Sequence, residues 1–353
     1  MVLEFGIDIG YSGTKAAAAD VPLVQLASFD ADIPGSKGDD LFKGKAEHLV
    51  QLTFNGSQVE KLVGEAALRT GSAKGMMGQV EKPDTTHDLL LFTAAYLLCA
   101  GSTHPTDQDE VDVVLGLPID YLRHQRGAIK QRLERRPAWI SVDGGAERCI
   151  VFRNVDVRPQ GAGIMMSTDP STFLAPDLPV NYVLVLDLGS YTINFLLFEF
   201  RAGESPQLVP DCYGTIEKGV SLVQQRMADA YLELTGKPLP SYMMADTWRH
   251  RQIYSGGKLI DLSEAIGQAA KAVADDIVSQ LQSILKERMT YITSTIAGGG
   301  GALIMGDELR RMTMRTNGDV RLVFPHFVIV ENPVYANAIG FLNACRSRKS
   351  RQA

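Results

Sequence analysis

The chain has 353 residues, a length that favours about two domains. Hydrophobic residues make up 45% and charged residues 22% of it, which is ordinary for a soluble globular protein. The net charge of −6 excludes a general nucleic-acid-binding protein, and no apolar run approaches the ~18 residues needed to span a membrane.

Other composition signals also narrow the class of protein. Glu4 and Asp8 interrupt the N-terminal segment before any apolar stretch typical of a signal peptide. The four cysteines are scattered without paired spacing, so neither a disulfide framework nor a zinc site is indicated. We therefore expect a cytoplasmic protein, in a compartment that keeps thiols reduced.

The first predicted element is a β-hairpin whose turn is rich in glycine and hydroxyl groups. Residues 2–7 are an alternating apolar run, and the turn that follows contains Gly10 and Gly13, which allow the backbone to approach a ligand closely. Asp8 contributes a carboxylate and Lys15 a cation. This set suits a phosphate tail and its Mg²⁺, although a plain hairpin with incidental Ser and Lys has the same pattern.

The following stretch is predicted as loops and a second hairpin. Residues 34–40 and 71–78 are Gly-rich and are predicted to be surface loops. Residues 49–54 and 59–63 are joined by Asn55-Gly56, a dipeptide typical of a tight hairpin turn.

A buried helix and a set of strands complete the first half. The nearly all-apolar residues 87–100 predict a buried helix, which Asp84, Thr85 and Thr86 precede as possible caps. The domain change is placed close to Pro159. Between these points the sequence predicts a strand at 111–117, a basic amphipathic helix at 121–136, and short strands at 139–142, 148–152 and 155–158.

The second half repeats the pattern of the first hairpin. Residues 183–198 contain an apolar strand, then Asp187, Gly189 and a hydroxyl-rich turn, then another apolar strand. Internal repetition defines architecture, so two related halves facing one nucleotide are predicted. Residues 296–303 add an apolar strand, four glycines and the start of a helix, a turn that presents a helix N-terminus to negative charge.

Three helices are predicted in the rest of the second half. Residues 220–235 have a helical period and end at Gly236, and residues 261–264 resemble a capping box that opens a long helix. Pro333 begins a helix at residues 334–345, after Asn332 as a cap. The apolar face of the long helix comprises Ile266, Ala270, Val273, Ile277, Leu281 and Ile284.

The last basic stretch, residues 346–351, lacks hydrophobic residues. It is predicted to be a solvated, disordered tail, and the alternative is a contact for an acidic partner or DNA.

These elements, in this order, resemble the actin/sugar-kinase/heat-shock-chaperone ATPase superfamily, and within it the bacterial actin-like plasmid-segregation proteins of the ParM (StbA) family. The resemblance implies an α/β, actin-like fold with two related RNase H-like domains flanking a nucleotide cleft. It assigns residues 1–160, plus a returning C-terminal helix at about 331–353, to the first domain and residues 161–330 to the second. Residues 158–163 and 331–340 match the two connecting helices of the family.

The resemblance also implies roles for particular residues. It makes the first hairpin turn and residues 187–192 phosphate loops, residues 298–301 an adenosine loop, and Glu217 and Lys218 contacts of the ribose and base. The implied cofactors are ATP or GTP and Mg²⁺, held through waters by Asp8 and Asp187. The implied nucleotide-binding residues are Gly10, Tyr11, Ser12, Gly13, Thr14, Lys15, Gly189, Ser190, Tyr191, Thr192, Glu217, Lys218, Gly298, Gly299, Gly300 and Gly301.

Gln160 lies where the family has its water-orienting residue, a Glu in typical plasmid-segregation members and a Gln in eukaryotic actins. A Gln side chain cannot act as a general base near neutral pH, but it can orient a water by hydrogen bonds. The implied catalytic residues are therefore Gln160, Asp8 and Asp187, with slow hydrolysis. The alternative for Gln160 is a solvent-facing residue at the start of a helix.

The implied function is a filament whose subunits polymerise with bound nucleotide and depolymerise after hydrolysis. The implied partners are further copies of the chain and an adaptor of the ParR type bound to centromere-like DNA, with no direct sequence-specific DNA binding and no membrane. The glycine-rich loop at 71–78 is a candidate subunit contact. Two alternatives on the same fold are a small-molecule kinase, for which no further catalytic Asp stands out, and a monomeric nucleotide-gated binding protein.

Overall fold

The computed structural model describes residues 2–33, 48–70, 72–75, 84–101, 108–240, 243–316 and 319–352. The chain divides into two compact units, of which the first comprises Met1–Asp169 with Val334–Ala353 and the second Pro170–Pro333. Each unit has its own main sheet and apolar core. The loop predicted at 34–40 lies outside the described residues, as does half of the loop predicted at 71–78, whose described half contains a two-residue strand.

One mixed sheet organises the first unit. Its strands are β1 (Leu3–Ile9), β2 (Gly13–Ala18), β3 (Val24–Ala27), β4 (Phe29–Ala31), β5 (Leu49–Phe54), β6 (Ser57–Val63), β7 (Lys74–Gly75), β8 (Gln108–Leu117), β9 (Pro137–Val142) and β10 (Arg148–Pro159). They lie in the order β3-β2-β1-β8-β10-β9-β5-β6-β4-β7. At the centre, β8 is parallel to both β1 and β10. These strands are mostly buried because helices cover the sheet, which is typical of parallel strands.

Among the described residues before position 170, the helices are α1 (Glu65–Leu68), α2 (Asp84–Ala100), α3 (Ile119–Leu133) and α4 (Ala162–Met166). The apolar helix α2 is buried as predicted, and the ring of Phe92 packs between those of Phe54 and Phe152 at 4.8 and 5.2 Å. The prediction that residues 84–86 precede this helix was wrong, since all three lie within it. The Thr86 hydroxyl donates to Asp30 Oδ1 at 2.7 Å, so it serves a tertiary contact.

The Asn-Gly hairpin is confirmed, with φ of +50° at Asn55 and +79° at Gly56.

The two strands predicted at 148–152 and 155–158 are wrong as separate elements, because β10 spans both. Its register against β8 shifts between Phe152 and Asn154. Such a bulge changes the phase of the inward and outward alternation, so one strand resembles two in the sequence.

The second unit contains β11 (Val180–Leu188), β12 (Ile193–Arg201), β13 (Gln207–Ile216), β14 (Gln252–Ser255), β15 (Lys258–Asp261), β16 (Ser294–Gly298), β17 (Thr313–Thr316), β18 (Asp319–Leu322) and β19 (Phe327–Ile329). Its helices are α5 (Val220–Thr235), α6 (Met244–His250), α7 (Ser263–Leu285) and α8 (Ala302–Arg311). The main sheet has the order β13-β12-β11-β16-β19, and two hairpins, β14-β15 and β17-β18, stand apart from it. Helices α5 and α7 cover the apolar core.

The long helix α7 begins where it was predicted, but not with a capping box. Its N-cap residue is Leu262, which has no side-chain cap. Instead, Asp261 Oδ1 accepts a hydrogen bond from the Ser263 amide at 2.8 Å. The predicted apolar face is buried except at its last position, where Leu285 is buried in place of Ile284. The predicted end of α5 at Gly236 is confirmed, with φ of +67°.

The chain returns to the first unit as α9 (Ala336–Gln352), after a single 3₁₀ turn at Pro333–Tyr335. This helix packs on β1 at Gly6, where an added Cβ atom would lie 2.1 Å from the Ala338 carbonyl oxygen. It packs on α4 at Gly340, where an added Cβ atom would lie 1.7 Å from the Gly163 carbonyl oxygen. Backbone-to-backbone packing of this kind requires glycine.

The predicted disordered tail at 346–351 was wrong, because α9 continues through Gln352. Arg346 Nε lies 3.9 Å from Glu4 Oε2, and Arg348 Nη2 lies 2.9 Å from Asp156 Oδ2. Arg346 and Arg348 therefore have carboxylate partners on the sheet that the local sequence does not reveal. In the part of the chain that the structure describes, no helix is long and apolar enough to cross a membrane.

Candidate functional site

The first candidate loop is the turn between β1 and β2. Asp8 is the register partner of Lys15, and the Gly10 amide donates to the Gly13 carbonyl at 3.1 Å. An added Cβ atom on Gly10 would lie 2.9 Å from that carbonyl oxygen, so the turn has no room for a side chain there. The hairpin thus places a carboxylate and an ammonium group on either side of a tight turn.

The predicted ligands of this loop differ in how accessible they are. Lys15 Nζ donates to the Gly13 carbonyl at 3.0 Å, so its ammonium group folds back over the turn. Tyr11 and Ser12 are half-buried at the tip. Thr14, in contrast, is fully buried, and its hydroxyl lies 3.0 Å from that of Ser28. The Thr14 hydroxyl is therefore used inside the unit, and nucleotide binding by Thr14 stays a prediction.

Asp8 is buried, with 7% of its surface exposed. Gln160 Nε2 donates to Asp8 Oδ1 at 2.7 Å, and Asn337 Nδ2 lies 3.5 Å from Asp8 Oδ2. The Asn337 side-chain oxygen in turn accepts a hydrogen bond from the Gly161 amide at 2.9 Å. Three segments distant in the sequence, β1, the end of β10 and α9, therefore hold one carboxylate.

Gln160 is itself buried, with 6% of its surface exposed, and its backbone amide donates to the Leu117 carbonyl at 2.7 Å. The alternative of a solvent-facing residue at a helix start is thus wrong. Asn337 was not predicted to be a site residue, although it lies within the second connecting segment. Its role depends on proximity to Asp8 across 329 positions, which no local pattern indicates.

The second candidate loop, between β11 and β12, has the same construction in the other unit. Asp187 is 7% exposed and is the register partner of Asn194. The Gly189 amide donates to the carbonyls of Asp187 and Thr192 at 3.1 and 3.0 Å. Ser190, Tyr191 and Thr192 are half-buried at the turn. Burial raises the pKa of the Tyr191 phenol, which stays protonated at neutral pH.

The first turn of α5 is hydrogen-bonded to the backbone of this second loop. The Val220 amide donates to the Gly189 carbonyl at 3.3 Å, and the Ser221 amide donates to the Ser190 carbonyl at 2.8 Å. An added Cβ atom on Gly219 would lie 2.6 Å from the Ser190 carbonyl oxygen. The helix N-terminus therefore holds the loop in position through the loop's own carbonyl groups.

Of the four predicted adenosine-loop glycines, three pack against the segment of Asp187. Gly298 is the register partner of Asp187, and the Gly301 amide donates to the Leu188 carbonyl at 2.7 Å. Gly299 has φ of +81°, and an added Cβ atom on it would lie 2.8 Å from Asp187 Oδ1. An added Cβ atom on Gly300, in contrast to Gly299 and Gly301, would have no neighbour within 4 Å.

The predicted base contacts lie between β13 and α5. Glu217 is exposed. Lys218 Nζ lies 2.5 Å from Asp276 Oδ2 of α7, so its charge has a partner within the second unit. The structure thus groups the predicted residues into two sets, one around Asp8 in the first unit and one around Asp187 in the second.

Comparison with known proteins gives two family matches. Residues 6–163 match the N-terminal domain of actin-like proteins, and residues 185–311 match the C-terminal domain of archaeal MreB-like actin homologues. The first match lies in the first unit and the second match in the second unit. Together they include both candidate loops.

Individual relatives agree with these matches. An archaeal actin homologue of Thermoplasma acidophilum is 22% identical over 345 residues, covering 96% of this chain and 97% of its own. A 15-stranded ParM filament from Clostridium botulinum has a TM-score of 0.80 at 22% identity, covering 98% of this chain and 99% of its own. An archaeal actin homologue solved in complex with ADP has a TM-score of 0.76 at 20% identity, covering 98% and 100%. The fold of this chain is therefore that of actin.

Proposed function

Because this chain belongs to the actin-like proteins by its two family matches and its fold, we propose that it binds ATP or GTP with Mg²⁺, hydrolyses it slowly and assembles into filaments. The observation that most supports nucleotide binding is the duplicated hairpin. Each unit has a strand ending in a buried aspartate, followed by a glycine turn whose tip is partly open. Relatives of similar structure include a filament and an ADP complex.

The residues present fit a hydrated Mg²⁺. This ion usually keeps several waters and is bound through one or two carboxylates together with substrate phosphates. Asp8 and Asp187 supply such carboxylates, and Gly299 leaves no side chain over Asp187 Oδ1. When bound, the ion neutralises phosphate charge. The task of both aspartates is to hold its waters in fixed directions, and their burial keeps them rigid.

The phosphates are proposed to be held by the loop residues that remain accessible. These are Ser12 and Lys15 in the first unit and Ser190 with Thr192 in the second. Turn amides suit phosphate oxygens because they present fixed dipoles without a charge that must be desolvated. Phosphoryl transfer needs positioning and charge neutralisation more than covalent chemistry, which these groups supply.

Gln160→Ala is expected to leave nucleotide affinity nearly unchanged and to slow phosphate release about tenfold or more. Gln160 Nε2 donates a hydrogen bond to Asp8 Oδ1 at 2.7 Å, and the side-chain oxygen is proposed to orient a water. Loss of the amide also frees Asp8 Oδ1. The measurement is single-turnover phosphate release beside equilibrium binding of a fluorescent nucleotide.

Gln268→Ala, an exposed glutamine on α7, is the matched control and should behave as the wild type. If Gln160→Ala lowered nucleotide affinity instead, with hydrolysis of the bound nucleotide unchanged, Gln160 would be a structural residue and the assignment would fail.

We further propose that filament turnover moves DNA, such as a plasmid, through an adaptor of the ParR type bound to centromere-like DNA. Support for this step is the resemblance to ParM-type proteins, one of which forms the filament described above. The net charge of −6 favours an adaptor over direct DNA binding. A purified adaptor–DNA complex should then stabilise filament ends, which fluorescence microscopy of labelled subunits can follow.

The decisive experiment is light scattering after addition of Mg-ATP or Mg-GTP, with phosphate release recorded in the same sample. Light scattering is expected to rise and then to decay as phosphate appears, and the nucleotide that produces the rise identifies the preferred base. Bound nucleotide without any rise over a wide protein concentration range would contradict the filament. That result would instead support the monomeric nucleotide-gated protein, or a kinase whose acceptor should then be sought.

A further inference from the structure

One edge of the sheet in the first unit has an unusual concentration of basic side chains. β10 pairs with β9 only from Arg148 to Val151. Beyond its bulge, within the described residues, β10 is bonded along its length only to β8. Helix α3 and the last turns of α9 lie beside this open edge. The side chains that converge here come from all three elements.

Three arginines converge on one buried carboxylate at this edge. Asp156 is 5% exposed and has Arg126 Nη2 at 3.1 Å, Arg158 Nε at 2.8 Å and Arg348 Nη2 at 2.9 Å. Burial acts to raise the pKa of Asp156, but the hydrogen bond from Arg158 and the charges of all three arginines outweigh it and hold that pKa below its ordinary value. The carboxylate is therefore ionised at neutral pH, and it neutralises only one of the three guanidinium groups.

Next to this cluster lies a cavity of about 320 Å³, lined among others by Lys130, Arg153 and Arg348. Its two acidic lining residues are already engaged. Asp112 accepts two hydrogen bonds from Arg153, at 3.0 and 2.6 Å. Glu134 accepts one from the Val155 amide at 3.2 Å and lies 3.5 Å from Lys130.

The basic side chains at this edge outnumber the carboxylates. Among the described residues, five basic side chains lie here with four carboxylates, because the charge of Glu110 also acts on Arg153, so one positive charge is in excess. A network that served only to fix α9 to the sheet would need no such excess, because unpaired like charges repel one another. Lys130, Arg153 and Arg348 are also about half exposed, so each has donors left for a ligand.

We propose that this cavity binds a small phosphate-bearing molecule, with Arg348, Arg153 and Lys130 as its ligands. A phosphate group carries the negative charge that this excess attracts, and guanidinium groups bind its oxygens with paired N–H donors. The bidentate bond to Asp112 holds Arg153 in a fixed orientation, which lowers the entropy lost on binding. The apolar wall formed by Val114, Val155 and Cys345 accommodates an organic part of the molecule.

The test is calorimetric titration of the full chain with pyrophosphate, without divalent cations. Arg348→Gln is expected to weaken binding about tenfold, the effect of losing one charge-assisted hydrogen bond. Arg346→Gln is the matched control, because Arg346 is two positions away on α9 but reaches Glu4. It should bind as the wild type does.

Two further variants keep the result interpretable. Lys130→Gln should also weaken binding, and the ion pair of Lys130 is with Glu134 rather than with a residue of α9. Lys15→Gln tests the hairpin turn of β1 and β2 as the other phosphate site, and binding to the cavity should persist in this variant. Absence of wild-type binding, unchanged affinity in both Arg348→Gln and Lys130→Gln, or loss only in Lys15→Gln would overturn the proposal. The last result would place pyrophosphate in the proposed nucleotide loops and would leave that function intact.

Discussion

Asp187→Asn is expected to reduce Mg²⁺-dependent nucleotide hydrolysis roughly 10–100-fold, the usual cost of losing a group that acts on a metal through its waters. The substitution keeps the shape of the side chain and removes its charge. Asp187 lies at the end of β11, with the Gly299 backbone closely packed beside Oδ1. The second unit should therefore stay folded while the reaction slows.

Phosphate release at several Mg²⁺ concentrations measures this effect, with circular dichroism as the check on folding. Excess Mg²⁺ should recover part of the activity if the main loss is in metal affinity. Asp229→Asn, an exposed aspartate on α5, removes the same charge from the same unit and should leave turnover unchanged. Wild-type turnover in a folded Asp187→Asn protein would eliminate the two-loop assignment.

The two hairpins could be predicted from the sequence because their information is local. An alternating apolar run specifies the first strand of one hairpin and a continuous apolar run that of the other, and an Asp-x-Gly step specifies where each of these strands ends. The register that the structure shows, with Asp8 opposite Lys15 and Asp187 opposite Asn194, follows from turns of equal length. Local signals of this kind also located the Asn-Gly hairpin and the C-terminal end of α5.

The glycine run at 298–301 shows how far a local signal extends. Its composition correctly predicted a strand and a helix joined by a glycine turn. It did not reveal what the turn packs against. Gly299 and Gly301 approach the Leu188 carbonyl at distances that exclude a side chain, so much of the run serves contact between two segments of one unit. The sequence alone cannot separate that requirement from closeness to a ligand.

The partners of buried polar and charged side chains were the least predictable feature. Gln160 bonds to Asp8 across 152 positions, and Arg348 pairs with Asp156 on a different element. Without these contacts the basic C-terminal stretch has the composition of a solvated tail. Its carboxylate partner is supplied by the open edge of β10, which can be recognised only once the sheet order is known.

Gly340→Ala is expected to destabilise the protein by about 1–3 kcal/mol or more, the cost of overpacking a closely packed interface. Helix propensity predicts the opposite sign, since alanine is favoured over glycine inside a helix by about 1 kcal/mol. Packing outweighs propensity here because the new Cβ atom would lie 1.7 Å from the Gly163 carbonyl oxygen. The new Cβ atom is fixed to the backbone of α9 and the oxygen belongs to the backbone of α4, so the clash can be relieved only if α9 moves away from α4. Urea unfolding measures the change in free energy.

Gly127→Ala is the control that separates the two effects. Gly127 is an exposed position of α3 where an added Cβ atom has no neighbour within 4 Å, so propensity alone should act there and stabilise the protein by up to about 1 kcal/mol. Equal stabilisation by both variants would show that α9 does not pack closely on α4. A shift of α9 would also move Asn337 away from Asp8 and the Gly161 amide. Gly340→Ala should therefore weaken Mg²⁺-dependent hydrolysis even at temperatures where the chain remains folded.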